Sequence, residues 1–61
     1  MIVYVVHGDI IYDGEYYEGV FSTFEQAEHH AKNLPDYYDN VTVRESKIDD
    51  PAYEGNTWDF R

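Results

Sequence analysis

Val20-Phe21-Ser22-Thr23-Phe24-Glu25-Gln26-Ala27-Glu28 holds the change of hydrophobic period on which the fold turns. The residues before it are β-prone; after it, apolar side chains recur at helical spacing. Ser22-Thr23-Phe24-Glu25 reads as a capping box. The Ser22 hydroxyl can accept the amide of Glu25, and the Glu25 carboxylate can reach back to the amide of Ser22. A helix is therefore predicted over Thr23 to Asn33. Its apolar stripe is Phe24, Ala27, Ala31 and Leu34, at i, i+3, i+7 and i+10. Leu34-Pro35 stops it, because a residue before proline avoids the helical region. Glu25 near the start and Lys32 near the end suit the helix dipole.

Upstream, Met1-Ile2-Val3-Tyr4-Val5-Val6 is apolar throughout and reads as a central strand covered on both faces. Gly8 marks a bulge or bend in it. Ile10-Ile11-Tyr12 extends the β-prone stretch, and Asp13-Gly14 signals a type I′ hairpin, whose central residues both need positive φ. The return strand spans about Glu15 to Phe21. Downstream, Asp36 to Asn40 is a polar loop containing Tyr37-Tyr38, and Val41 to Ile48 is a third strand. Val41 and Val43 face one way; Thr42, Arg44, Ser46 and Ile48 face the other. Asp49-Asp50-Pro51 ends that strand. Tyr53, Trp58 and Phe60 mark an extended aromatic tail laid on the domain.

These elements give one α+β domain over residues 1–61, in the chain order strand, strand, helix, strand. A right-handed crossover pairs the third strand with the first. The expected sheet is three-stranded and antiparallel, of order 2-1-3, with the helix on one face and tyrosines and carboxylates on the other. With 61 residues, such a domain buries about 60% of the surface its unfolded chain exposes. A deep enclosed pocket is not expected. There is no cysteine, hence no disulfide and no thiolate metal site. The apolar start is too short for a signal peptide or a membrane helix, which points to the cytoplasm. Asn40-Val41-Thr42 matches a glycosylation sequon by chance in that setting.

Charge is the outstanding feature. Thirteen Asp and Glu stand against four Lys and Arg, a formal net charge of −9. Such a chain repels nucleic acid and anionic membranes and attracts basic surfaces. The charge exceeds the magnitude of about 2–8 that solubility asks of a small domain. Alternate strand residues lie about 6.7 Å apart and i, i+3 helix residues about 5–6 Å apart, so carboxylates can stand at phosphate-like separations. The candidate partner-binding carboxylates are Asp9, Asp13, Glu15 and Glu18 on the hairpin, Glu25 and Glu28 on the helix, and Asp36 and Asp39 in the loop. Tyr12, Tyr16, Tyr37 and Tyr38 join them. Tyrosine interleaved with acids suits a protein interface, where it can stack on arginine, and does not suit single-stranded nucleic acid. Tyr4 and one of Tyr16 or Tyr17 are assigned to the core.

No catalytic residue, metal ligand or cofactor is assigned. There is no phosphate loop, nucleophile elbow, metalloprotease helix or EF-hand spacing. Adjacent His29 and His30 point about 100° apart on a helix, and His29 is placed to pair with Glu25.

The stretch Val20 to Glu28, after the opening Val3-Tyr4-Val5-Val6-His7, resembles small uncharacterised phage and bacterial β-β-α-β domains with a G-V-F-S-T-x-E-x-A-E helix entry. That likeness covers roughly residues 3 to 48 and implies a fold. By class, the minute, cysteine-free, acidic chain is similar to phage-encoded anti-CRISPR and anti-restriction inhibitors. Several of those imitate DNA. This similarity implies a non-enzymatic DNA mimic that occludes the basic nucleic-acid-binding site of a host defence complex. The alternative is a non-catalytic interaction module or a homodimer paired through a sheet edge or the tyrosine face.

Overall fold

The computed structural model describes residues 1–61. Its elements run β1 (Ile2–Ile10), β2 (Gly14–Phe21), α1 (Phe24–Lys32), β3 (Asn40–Lys47) and β4 (Thr57–Asp59). The sheet is antiparallel, of order β2-β1-β3-β4. The expected 2-1-3 core is present, and the aromatic tail adds a fourth strand to its β3 edge. Trp58 pairs with Val43, and its indole packs 4.6 Å from Phe24 and 6.1 Å from Tyr4, measured between ring centroids. Burying those three aromatics together holds so short a strand in place.

α1 covers one face. Val6, Val41 and Val43 from the sheet meet Ala27, Ala31 and Leu34 from the helix and the loop after it, all buried. Phe24, which completes the stripe, packs against this core from its rim. The small alanines let the helix lie close to the strands. The other face has no second layer, so Val3 and Val5 stay half-buried there. The expectation that β1 is covered on both faces is thus met on one face only.

Three local readings are corrected. The helix N-cap is Thr23, in extended conformation (φ −129°, ψ 151°), and its Oγ1 accepts the Gln26 amide at 3.3 Å. The cap lies one residue later than the Ser22–Glu25 box, and the Ser22 hydroxyl instead donates to Gln26 Oε1 at 3.4 Å. The hairpin is not of type I′: only Gly14 has positive φ (98°) there. A turn closed by Asp13 N–H to Ile10 O, at 2.9 Å, precedes it. The bulge lies opposite the Val6/His7 step, where pairing passes from Val6–Gly19 to His7–Tyr17 and leaves Glu18 extra. Gly8 is regularly paired and serves a different purpose. A Cβ on Gly8 would fall within 2.6 Å of three ring atoms of Tyr38, so the bare glycine lets that ring lie flat on β1. β3 ends at Lys47, and the turn after it passes through Asp49, whose φ of 64° is a conformation Asp tolerates better than most residues.

Candidate functional site

The hairpin tip and the loop between α1 and β3 meet at one end of the sheet. Asp39 joins them: its Oδ2 accepts the Ile11 amide at 2.8 Å, and its own amide donates to Asp9 O at 2.8 Å. Asn40 Nδ2 donates to Asp9 Oδ2 at 3.2 Å. Asp13 sits in the turn and Asp36 in the loop, both exposed and without a side-chain hydrogen bond. Ile11 and Tyr12 project from the tip, Tyr12 at 96% exposure, and Tyr37 stands out at 63%. Arg61 reaches this end from the C-terminus. Its guanidinium donates to Leu34 O and Pro35 O, both at 2.6 Å, and to Tyr38 O at 3.4 Å. That cation neutralises helix-end and loop carbonyls and forms no ion pair with the carboxylates.

Of the twelve residues singled out from sequence, seven belong to this end: Asp9, Asp13, Asp36, Asp39, Tyr12, Tyr16 and Tyr37. Tyr16 is 44% exposed and Tyr17 65%, so neither is core. Tyr38 takes that place. It is 6% exposed, packed beneath Tyr16 and Tyr37, and is no surface anchor. Its hydroxyl donates to Glu18 Oε2. Accepting that hydrogen bond, with burial second, Glu18 raises the Tyr38 phenol above its ordinary value near 10. Glu18 itself is turned to the helix face, with its other oxygen 3.6 Å from His30 Nε2. Glu25 stands exposed in the first turn of α1, at the end of the domain opposite the hairpin tip. Glu28 pairs with Lys32 at 3.4 Å, whereas the expected Glu25–His29 pair is not formed. Glu25 and Glu28 are therefore separate from the acidic end.

The open face of the sheet differs from a field of tyrosines and acids. His7 lies at its centre, with Nδ1 3.1 Å from Glu15 Oε1. A polar crevice of about 160 Å³ runs between His7, Asp9, Glu15, Thr42, Arg44 and Thr57. A second, of about 320 Å³, continues it towards Lys47 and the turn after β3. Tyr53 borders that second crevice, and burial, with the charge of Glu45 beside it, raises its phenol. Of the lining residues, Asp9 and Glu15 were among the expected partner-binding carboxylates; sequence reading gave Arg44 and Lys47 no role, because they look like ordinary strand cations until their surroundings are known. No three of the His, Asp and Glu side chains gather as metal ligands would. No helix is long and apolar enough to cross a membrane.

No curated protein and no solved structure matches the chain. A family model described as a domain of unknown function (DUF7336) matches residues 1–59.

Proposed function

We propose that this chain, which belongs to the DUF7336 family, is a non-catalytic inhibitor. In this reading its acidic hairpin end occupies the cationic groove of a nucleic-acid-binding protein in place of phosphates. What supports the reading is the composition of that end. Four aspartates, Asp9, Asp13, Asp36 and Asp39, surround exposed Tyr12 and Tyr37, while Arg61 is spent on backbone carbonyls. The carboxylates would meet the Lys and Arg that grip a DNA backbone, and the two rings would stack on guanidinium planes. The overall charge density agrees. Nine net charges on a body 31 Å long amount to about one per 3.4 Å, the spacing along one strand of DNA.

The test is capture of partners from a bacterial lysate at low and high salt, followed by competition with duplex DNA. The expected partner is a nucleic-acid-binding protein that is released as salt rises to about 0.5 M and is displaced by DNA. The double variant Asp13→Asn/Asp36→Asn removes two exposed charges at a cost within about 0.5 kcal/mol, and its binding should fall about tenfold. Capture that ignores salt, or a ternary complex with DNA in place, overturns the proposal.

One observation favours a second reading. β2 is an outer strand of eight residues with Tyr16, Tyr17 and Val20 exposed, and its free backbone edge could pair with another copy. A dimer by sedimentation, with no competition by DNA, would favour that interaction module over the inhibitor.

A further inference from the structure

In this acidic chain, two cations are left without an anion. Of the four Lys and Arg side chains, Lys32 pairs with Glu28 and Arg61 is bound to carbonyls. Arg44 and Lys47 make neither a hydrogen bond nor an ion pair within 4.0 Å, although thirteen carboxylates share the molecule. Both line the crevice of about 320 Å³ at the far half of the open face. His7 and the Ser46 hydroxyl line it with them, and Tyr53 and Pro51 close it beyond the strand. Its volume falls at the lower bound of small-ligand sites, about 300–1,000 Å³.

We propose that this crevice is a binding site for a small, strongly polar anion, a phosphate monoester or a carboxylate. Arg44 supplies a planar fork of donors, which matches either group in bidentate fashion. Lys47 supplies a second positive charge, and Ser46 and His7 supply further hydrogen-bonding groups. β1 and β3 hold His7, Arg44 and Ser46 on one face of the sheet, with Arg44 paired to Val5 and Thr42 to His7, and Lys47, the last residue of β3, lines the crevice at the strand's end. The net charge of −9 opposes an anion at a distance, but charges beyond about 8 Å are screened at physiological salt. Nearer at hand, Asp50 borders the crevice, with Oδ1 accepting the Ala52 amide at 3.3 Å. Glu15 lies against His7 in the adjoining crevice. Those two carboxylates disfavour a bulky polyanion and leave room for one anionic group. The crevice shares His7 and Arg44 with the one that reaches Asp9, but none of its lining residues belongs to the acidic hairpin end, so either proposal can fail without the other.

The experiment is a titration of the ¹⁵N-labelled chain, at constant ionic strength, with inorganic phosphate, glycerol phosphate and succinate, and with glycerol as the neutral control. Saturable shifts confined to the amides of His7, Arg44, Ser46 and Lys47 are expected from the anions and not from glycerol. Arg44→Gln should weaken binding at least tenfold and Lys47→Gln several-fold, while Lys32→Gln, on the opposite face, changes it less than twofold. Retained spectral dispersion shows that each variant is folded. Response to phosphates alone, or to succinate alone, assigns the ligand class within the proposal. Non-saturating shifts, equal shifts with glycerol or chloride, or an unchanged Arg44→Gln titration overturn it.

Discussion

Gly8→Ala should destabilise this domain severely, although the same change in an ordinary strand helps. Glycine in a strand interior costs roughly 0.5–1 kcal/mol relative to alanine, through the freedom it loses on folding. Without a packing conflict, the substitution would raise stability by that amount. Here the new methyl would stand within 2.6 Å of three Tyr38 ring atoms, against an ordinary carbon–carbon contact of about 3.5–4.0 Å. The ring must retreat by about 1 Å, yet it is held from the other side. It lies 4.8 Å from Tyr37 and 6.3 Å from Tyr16 by ring centroids and is hydrogen-bonded to Glu18. If the core strains to keep it, the cost is about 1–3 kcal/mol. If the ring is expelled, the cost approaches the roughly 3–5 kcal/mol of deleting a large core aromatic. A domain this small has only about 3–5 kcal/mol in total, so the variant should be near its unfolding midpoint in buffer. Urea unfolding followed by Trp58 fluorescence measures the loss, with an unchanged slope showing that the same surface unfolds. In a Tyr38→Leu background the cost should shrink by more than about 1 kcal/mol, the mark of residues in direct contact. A Gly8→Ala variant as stable as its parent, or an equal cost in both backgrounds, refutes the packing account.

Two further outcomes follow from the same contacts. Trp58→Ala should cost about 3 kcal/mol and release β4, so that the amides of residues 57–60 exchange with solvent orders of magnitude faster, while those of β1 keep their protection unless the core itself is lost; hydrogen-exchange spectra separate these cases. Raising the pH should also unfold the domain. Tyr38, through its bond to Glu18 and then burial, and Tyr53, through burial and then the charge of Glu45, hold their protons more tightly folded than unfolded. The stability they contribute is complete below the unfolded tyrosine value of about 10 and is lost as pH rises beyond it. Denaturation curves between pH 9 and 11 (roughly one unit either side of that value) should show the midpoint falling, and Tyr38→Phe should flatten the fall.

Much of the candidate site was legible because charge is a property of composition. The excess of Asp and Glu, and their presence on the hairpin and in the loop, need no coordinates. Which carboxylates act together does need them. Asp9 and Asp39 are 30 positions apart in sequence and are joined by hydrogen bonds through Asn40 and Ile11. Glu18, equally acidic on paper, is turned inward by a bulge and committed to Tyr38 and His30. The unpaired state of Arg44 and Lys47 was invisible for the same reason. An absent ion pair is a fact about neighbours, and neighbours across a sheet come from remote positions.

The sequence by itself determined the order of elements and the buried faces. Period-two and period-3.6 patterns are local, so Val41 and Val43, and Ala27, Ala31 and Leu34, declare their sides without help from the rest of the chain. It also placed β1 at the centre, since its apolar run would be costly at an exposed edge. Tertiary structure alone decided the rest. β4 spans three residues, too few for a period, and exists because Trp58 finds Phe24 and Tyr4. Tyr38 lies in a polar loop, and only the missing side chain of Gly8, on another strand, makes room for it. Both depend on surfaces built from distant segments, and no local pattern carries that information.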